Sequence, residues 1–402
     1  MMTKLTPSGR RILIGVVLAY TLAYFNRLNL SAALTGIIHD LGITPSAAGL
    51  APTCFAVVYA CGQLVTGSLA DRFDPVRFIL TGLIGSVLCN LALGVIGQYW
   101  ALVALCALNG VFQSMLWTPL VCLIAANYRE GPEQFTAHFY LSLTLAMGHF
   151  GAWGITGLAC QGIGWRWGFI LPALVTAPLV IVIFRLIKGA RLRAGERGRE
   201  GAPALKDSVR VLLHTGFPLL MVSAALYGFI KDGVITWTPE MLNAASGGNS
   251  GLAAAFSLIV PVLNLAGILG GYYLRGRSRS GTRRVAARLM PFLGLSCVPL
   301  LFKPSLALTA LCLGLACACA YGINPLYTSL VPMEYDRARC VGLAAGLCDS
   351  VIYLGAALSG VLGGALYENS GSAGLGKAWI VIALLSAAAM AGAARGQTSS
   401  EL

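Results

Sequence analysis

The sequence predicts an all-α membrane protein with twelve transmembrane helices in two pseudo-symmetric halves of six helices. The chain is 57% hydrophobic and only 11% charged, whereas a soluble domain carries roughly 25% charged residues. Apolar runs follow one another with short polar breaks, and each is close to the ~20 residues that cross a bilayer as a helix. A basic, polar segment interrupts this pattern near the middle of the chain.

The individual spans follow from these apolar runs. Stretches such as residues 78–96 do not alternate apolar and polar positions, so they predict helices and not the strands of a membrane barrel. The apolar runs of both halves are therefore predicted to be helices. The predicted spans are 12–37, 46–69, 77–97, 99–127, 134–162, 166–187, 213–243, 250–274, 285–302, 305–332, 339–367 and 377–394.

The distribution of Lys and Arg predicts the orientation. The basic residues concentrate in alternate loops, and by the positive-inside rule those loops and both termini lie in the cytoplasm. This arrangement requires an even number of spans. The basic residues of these loops also account for the formal net charge of +13. We therefore expect the lipid bilayer, and no nucleic acid, as a partner of the chain. We divide the chain into an N-terminal half (1–188), a cytoplasmic linker (189–210) and a C-terminal half (211–402).

Two basic residues fall well inside spans. Arg27 lies in the first span and Lys231 in the seventh, each about 22 Å or more from the cytoplasmic start of its helix. A charge at this depth costs at least ~2.5–3.5 kcal/mol, so a function is expected to require it. If the halves are repeats, the two cations are symmetry mates, and a small anion held by both would neutralise them. Tyr20 and Tyr24 share the helix face of Arg27.

A structural interpretation remains open, in which each cation has its own acidic partner. Asp232 is adjacent to Lys231, but neighbouring residues point to different faces of a helix. Asp349 lies within the eleventh span and is the better candidate. It would either pair with Lys231 or take up a proton during transport.

The loop between spans 2 and 3 carries a recognisable motif. Its sequence GSLADRFDPVRF resembles the loop signature of the major facilitator superfamily, with Gly67 followed by Asp71, Arg72 and Arg77. We expect Gly67 to allow two helices to approach and Asp71 to hold a helix N-terminus or an arginine at the gate. The matching loop of the second half, residues 270–284, keeps glycines and basic residues but has no acid, so a gate there must work differently.

Within this superfamily the chain is most similar to the organophosphate:phosphate antiporters, through YFNRLNLSAAL, FQSMLWTPL and KDGVITWTPEML. The resemblance implies that Arg27 and Lys231 bind the substrate phosphate. Two positions depart from the family, because Gln63 replaces a lysine of helix 2 and Lys231 replaces the more usual arginine. The aromatic residues that the resemblance assigns to the substrate site are Tyr20, Tyr24, Tyr59, Trp117, Tyr321 and Tyr353.

The resemblance implies secondary active transport of a phosphate ester or phosphonate in exchange for inorganic phosphate, by alternating access and as a monomer in the bacterial inner membrane. The first half is also similar to the anion:cation symporters, which predicts proton-coupled symport of a carboxylate such as a sugar acid, with Asp349 as the titrating group. A transporter-like sugar-phosphate sensor is the third interpretation. Nucleophile–base pairs, metal-ligand spacings and Gly-rich nucleotide loops are missing from the sequence, so we expect no enzyme activity, cofactor or metal.

Overall fold

The structure is a computed structural model, and it describes residues 5–43, 47, 49–129, 131–151, 160, 163–199, 204–247, 259–302 and 304–396. The chain divides into two compact units. Unit 1 consists of Met1–Pro203 together with Arg339–Gly346, and unit 2 consists of Ala204–Ala338 together with Leu347–Leu402. The change from one unit to the other at residue 203 falls within the segment that the sequence predicts as a linker.

In the described part of unit 1 there are seven helices, whose ends follow from local sequence. Pro7 opens the first helix, and the Thr6 side chain accepts a hydrogen bond from the backbone N–H of Gly9. Gly42 closes that helix in the left-handed conformation, which only glycine adopts without strain. The helices are α1 (Pro7–Leu41), α2 (Leu50–Ala70), α3 (Pro75–Leu93), α4 (Tyr99–Ser114), α5 (Trp117–Asn127), α6 (Pro132–Gly151) and α7 (Trp167–Arg199).

The fourth predicted span is broken into α4 and α5. Pro119 has no backbone N–H to donate to the carbonyl of Met115, so the regular hydrogen bonding of the helix is interrupted one turn before it. The break falls at Met115 and Leu116, and α5 restarts at Trp117. As a result Trp117 lies at the first turn of a helix within a membrane span.

Unit 2 contains the other described helices, except that the start of the last helix, as far as Gly346, belongs to unit 1. Pro325 ends one of them, and a π turn over Leu326–Leu330 and a 3₁₀ turn over Pro332–Tyr335 follow it. The last helix is interrupted at Gly371, whose φ of 59° is not helical, so it comprises two consecutive spans. The helices are α8 (Leu205–His214), α9 (Phe217–Ala245), α10 (Ile259–Arg277), α11 (Thr282–Ser296), α12 (Leu306–Pro325) and α13 (Val341–Arg395).

The predicted spans correspond to these helices, and the fold class is confirmed. Among the described residues, ten helical segments are long and apolar enough to cross a membrane. The fifth and eighth predicted spans coincide in part with α6 and α10, and residues 152–159 and 250–258 of those two predictions lie outside the described residues. The linker differs from a simple loop, because α7 continues to Arg199 and the short helix α8 begins at Leu205.

Candidate functional site

The first candidate site residue, Arg27, lies among aromatic rings of unit 1. Its guanidinium carbon is 4.4 Å from the ring centre of Tyr59, 5.2 Å from Phe55 and 5.8 Å from Tyr24. The Arg27 side chain is half-buried, whereas Tyr24 and Tyr59 are buried. Aromatic faces attract and stabilise a cation. The three rings therefore stabilise the guanidinium of Arg27 in a partly open position.

Close packing of helices places these rings. The backbone of α2 at Phe55 approaches Gly110 of α4 so closely that a side chain at position 110 would collide with the Phe55 carbonyl, 2.7 Å away. Tyr24 packs in the same way against Gly148 of α6. Small residues at such positions let membrane helices approach closely. Tyr20 extends the cluster, with its ring centre 5.2 Å from Tyr24 and 4.8 Å from Trp117.

Gln63 connects this cluster to α5. Its Nε2 donates to the Tyr59 hydroxyl at 2.7 Å, and its Oε1 accepts from the Thr118 hydroxyl at 2.7 Å. Gln63 is fully buried. The hydrogen bond from Gln63 fixes the position of the Tyr59 hydroxyl, and the ring of Tyr59 lies against Arg27.

Buried amides fix α1 next to Arg27. The carbonyl of Asn26 accepts hydrogen bonds from Asn90 and Asn109, each at 3.0 Å, and the Asn26 side chain donates to Thr176 at 2.7 Å. One turn earlier, Gln113 donates to the carbonyl of Ala23. Hydrogen bonds in a low-dielectric interior are stronger than in water, so this network favours one arrangement of the helices. It therefore positions the backbone that carries Arg27.

The second candidate, Lys231, forms an ion pair in unit 2. Its Nζ lies 3.1 Å from Asp232 Oδ2, and the two side chains are 11% and 30% exposed. Helix periodicity predicts Asp232 to be the poorer partner, because adjacent residues face different sides of a helix. The long lysine side chain overcomes that divergence and reaches the carboxylate. At Lys231 the structure therefore contains the acidic partner that the structural interpretation requires.

Tight contact between α9 and α13 also brings Tyr353 to Lys231. Gly228 packs on the carbonyl of Ile352, and Gly355 packs on the carbonyl of Ala225. Lys231 Nζ consequently lies 5.6 Å from the ring centre of Tyr353. Tyr321 on α12 and Asp349 on α13, the other predicted site residues of this unit, are both buried.

Asp71 of the loop motif binds the start of α13. Its carboxylate accepts from the backbone N–H groups of Gly342 at 2.7 Å and Leu343 at 2.8 Å. A Cβ atom at Gly67 would lie 2.8 Å from the Gly342 carbonyl oxygen, so glycine permits this approach. Burial raises the pKa of Asp71 to about 6, against the lowering effect of the two N–H donors. This group is thus a helix-capping carboxyl.

The two arginines of the motif have different surroundings. Arg72 and Arg77 are both exposed, and Arg77 lies 3.8 Å from the carboxylate of Asp74. Asp74 in turn caps α3 by accepting from the N–H of Val76 at 3.0 Å. An exposed pair at this distance contributes little to stability. In this conformation the structural role of the loop rests on Gly67 and Asp71.

Sequence reasoning missed Arg283, which is fully buried at the start of α11. Its guanidinium donates to Glu334 at 2.9 Å and to the Tyr335 hydroxyl at 2.6 Å. It also donates to the carbonyls of Thr215 at 2.6 Å and Ala393 at 3.0 Å. The missed amides of α1 had a signal, since Asn is unusual within apolar spans. Arg283 had none, because it is one basic residue among several in its loop.

Comparisons with known proteins agree with this architecture. A family model described as Major Facilitator Superfamily matches residues 16–339. The phosphoglycerate transporter protein of Salmonella typhimurium is 24% identical over 397 residues, covering 89% of this chain and 83% of that protein. The probable sulfoacetate transporter SauU of Cupriavidus necator is 26% identical over 404 residues, covering 90% and 88%.

A solved structure agrees at the level of fold. The proton:xylose symporter XylE, bound to 6-bromo-6-deoxy-D-glucose, superposes with a TM-score of 0.68 and 15% identity, over 95% of this chain and 94% of that one. At this identity the likeness concerns the arrangement of helices and not the ligand.

Proposed function

Since the chain belongs to the Major Facilitator Superfamily, we propose that it is a secondary active transporter of a small organic anion, a phosphate ester or phosphonate, which it exchanges for inorganic phosphate. Relatives named for phosphoglycerate and sulfoacetate transport support an anionic cargo with a tetrahedral oxoanion group. The third interpretation, a sensor, is supported by the membrane sensor protein UhpC of Escherichia coli, which is 34% identical but matches over only 30% of this chain.

The observation that carries this proposal is the environment of Arg27. A guanidinium inside an apolar span is costly, and the aromatic rings around it reduce that cost. Its planar fork matches two oxygens of a phosphate or phosphonate group. We propose that Lys231 contributes a further donor to the same anion, with Tyr20, Tyr24, Trp117, Tyr321 and Tyr353 shaping the cavity.

Exchange follows from the cost of an empty site. An anion bound at Arg27 and Lys231 lowers the cost of holding these cations within the apolar spans, so the loaded carrier should change conformation faster than the empty one. Return with phosphate bound would then be faster than return of the empty carrier. We propose that Asp71 and Gly67 stabilise one of the two alternating conformations through the start of α13, while Arg72 and Arg77 lie at the membrane surface.

Transport in proteoliposomes tests the proposal. Labelled inorganic phosphate should enter vesicles loaded with phosphate at least about ten times faster than empty ones, and unlabelled phosphate esters should compete. Arg27→Lys should lower uptake about ten- to a hundredfold, because losing one charge-assisted hydrogen bond costs ~1.5–3 kcal/mol. Arg10→Lys is the matched control, an exposed arginine on the same helix. Equal uptake by loaded and empty vesicles would rule out obligatory exchange.

Proton-coupled symport is the second candidate. The buried carboxyl of Asp349, within a span of unit 2, favours it, because intramembrane acids commonly act as proton carriers. An imposed pH gradient should then drive uptake of a sugar acid, and Asp349→Asn should abolish this response. Phosphate exchange that persists in Asp349→Asn would support antiport.

A further inference from the structure

We infer that the short helix α8 lies along the membrane surface and binds the head groups of anionic phospholipids. The helix (Leu205–His214) belongs wholly to unit 2 and precedes α9 directly. Only Thr215 and Gly216 separate it from Phe217, where a segment long and apolar enough to cross a membrane begins. The C-terminal end of α8 is therefore next to the boundary of the bilayer. The lipid site is independent of the proposed cargo.

The connection between α8 and α9 is short and firmly bonded. Arg283 donates to the carbonyl of Thr215 at 2.6 Å, and the Thr215 hydroxyl lies 2.8 Å from the Tyr335 hydroxyl. Gly216 adopts the left-handed conformation, with φ 71°, and a Cβ atom there would lie 2.7 Å from the carbonyl oxygen of Ala393. A left-handed residue ends a helix, so α8 does not continue as part of α9. It is a separate segment fixed to the end of a membrane span.

An exposed apolar stripe runs along α8. Ser208 and Leu212 are its buried residues. Leu205, Val209 and Leu213, which recur every fourth residue, are 45%, 38% and 60% exposed. A spacing of four residues places these three side chains on one face of the helix. At the edge of a bilayer, such a stripe fits the apolar boundary below the head groups.

A basic stripe borders the apolar one. Lys206 and Arg210 are exposed, and each follows a residue of the apolar stripe by one position, a rotation of about 100° around the helix. Asp207 is the single acid in the sequence of α8. Helices that lie in the interface of anionic membranes have this order, because long cationic side chains reach the lipid phosphates while the neighbouring apolar face enters the bilayer.

Basic residues also concentrate in the sequence around α8. Residues 185–210 contain eight lysines and arginines and three acids. Clusters of roughly four to eight such residues beside a membrane span are typical of segments that bind anionic lipids, and the positive-inside rule predicts the cytoplasmic leaflet for this one. A soluble anion would meet the basic stripe but leave the apolar stripe uncovered. A phospholipid with an anionic head group fits both stripes.

Hydrogen exchange of the full-length protein in lipid nanodiscs tests this inference. With about one-third phosphatidylglycerol, the amides of α8 should exchange about tenfold more slowly than in phosphatidylcholine alone, because an anionic surface holds the two basic side chains. Amides in the middle of α9 should exchange equally in both lipids, and about 1 M salt should remove the difference at α8. Equal exchange of α8 in the two lipids at low salt would overturn the inference.

The double substitution Lys206→Gln and Arg210→Gln should abolish the difference between the lipids. Arg284→Gln with Arg288→Gln is the matched control, because these exposed arginines have the same spacing on α11 of the same unit. The control variant should keep the slow exchange of α8 in anionic lipid. Loss of the effect in both variants would mean that the general charge of the protein causes it, which would contradict a site on α8.

The apolar stripe and soluble anions are tested separately. Leu213→Ala should speed exchange of α8 at least about threefold in both lipids, since a buried apolar contact is lost while alanine favours the helix more than leucine does. Unchanged exchange in Leu213→Ala would contradict contact of the stripe with the bilayer. Inorganic phosphate added to phosphatidylcholine nanodiscs should leave exchange of α8 unaltered. If phosphate reproduces the effect of phosphatidylglycerol, the site binds soluble phosphate and the lipid inference fails.

Discussion

The two units each place one buried charged side chain on the end of a helix, and the two side chains have opposite signs. In unit 1, Asp71 accepts from two backbone N–H groups at the start of α13. In unit 2, Arg283 donates to the carbonyls of Thr215 and Ala393, which lie at the C-terminal end of α8 and in the last turn of α13. Helix starts expose N–H groups and helix ends expose carbonyls, so each charge matches the polarity that it meets.

The contacts of Asp71 and Arg283 show how the loop of unit 2, residues 270–284, differs from the loop of unit 1 that carries Asp71. The sequence shows that residues 270–284 lack an acid, which suggested only that any gate there is different. In the structure, the cation Arg283 of this loop binds helix ends, and Glu334 compensates the charge of Arg283. Unit 1 thus uses a lone carboxyl, while unit 2 uses an ion pair with additional hydrogen bonds. Removing either group should cost stability, and by different amounts.

The largest effect is expected for Arg283→Met. This change leaves Glu334 without its buried partner and two carbonyls without donors, so the free energy of unfolding should fall by about 3–5 kcal/mol. Denaturant unfolding in detergent micelles would measure it. Arg284→Met is the control, because Arg284 is exposed, and its effect should stay within about 0.5 kcal/mol. Similar losses in both variants would show that the contacts of Arg283 are not stabilising.

A smaller loss is expected for Asp71→Ala. Two N–H groups at the start of α13 lose their acceptor, which should lower the free energy of unfolding by about 1–3 kcal/mol at pH 7. Asp74→Ala removes the acceptor of one N–H group at the start of α3 and should cost about 1 kcal/mol. Faster amide exchange at Gly342 and Leu343, in the first variant only, would locate the effect. Unchanged amide exchange at Gly342 and Leu343 would show that Asp71 does not stabilise the start of α13, and the contrast with Arg283 would then fail.

The third effect is a dependence on pH. Burial raises the pKa of Asp71 from 3.8 to about 6. Between these two pH values the carboxyl of Asp71 keeps its proton in the folded state and loses it in the unfolded chain. The resulting stabilisation is complete below pH ~4 and is lost as pH rises through about 6, an effect of about 2 kcal/mol between pH 4 and pH 7. Wild-type stability, measured relative to Asp71→Ala, should therefore decrease from pH 4 to pH 7. An increase over this range would mean that the N–H donors outweigh burial.

The candidate site could be predicted only in part. Arg27 and Lys231 stand out because charges are rare inside apolar spans, and this signal needs no structure. Helix periodicity predicts an unfavourable Lys231–Asp232 pair, but the structure contains this pair. Periodicity describes the directions of Cβ atoms and not the reach of a long side chain. The hydrogen bonds of Gln63 to Tyr59 and from Thr118 join α2 and α5, and no periodicity within one helix reveals them.

The sequence by itself determined that the chain crosses a membrane, where most helices lie and that Arg27 and Lys231 lie deep within predicted spans. Those properties follow from composition and from the length of apolar runs, which are read along the chain. Only the tertiary structure decided which rings surround Arg27, which acid pairs with Lys231 and which helix ends Asp71 and Arg283 bind. These contacts depend on how each helix is rotated and how closely it packs against its neighbours, and neither property is encoded by hydrophobic pattern alone.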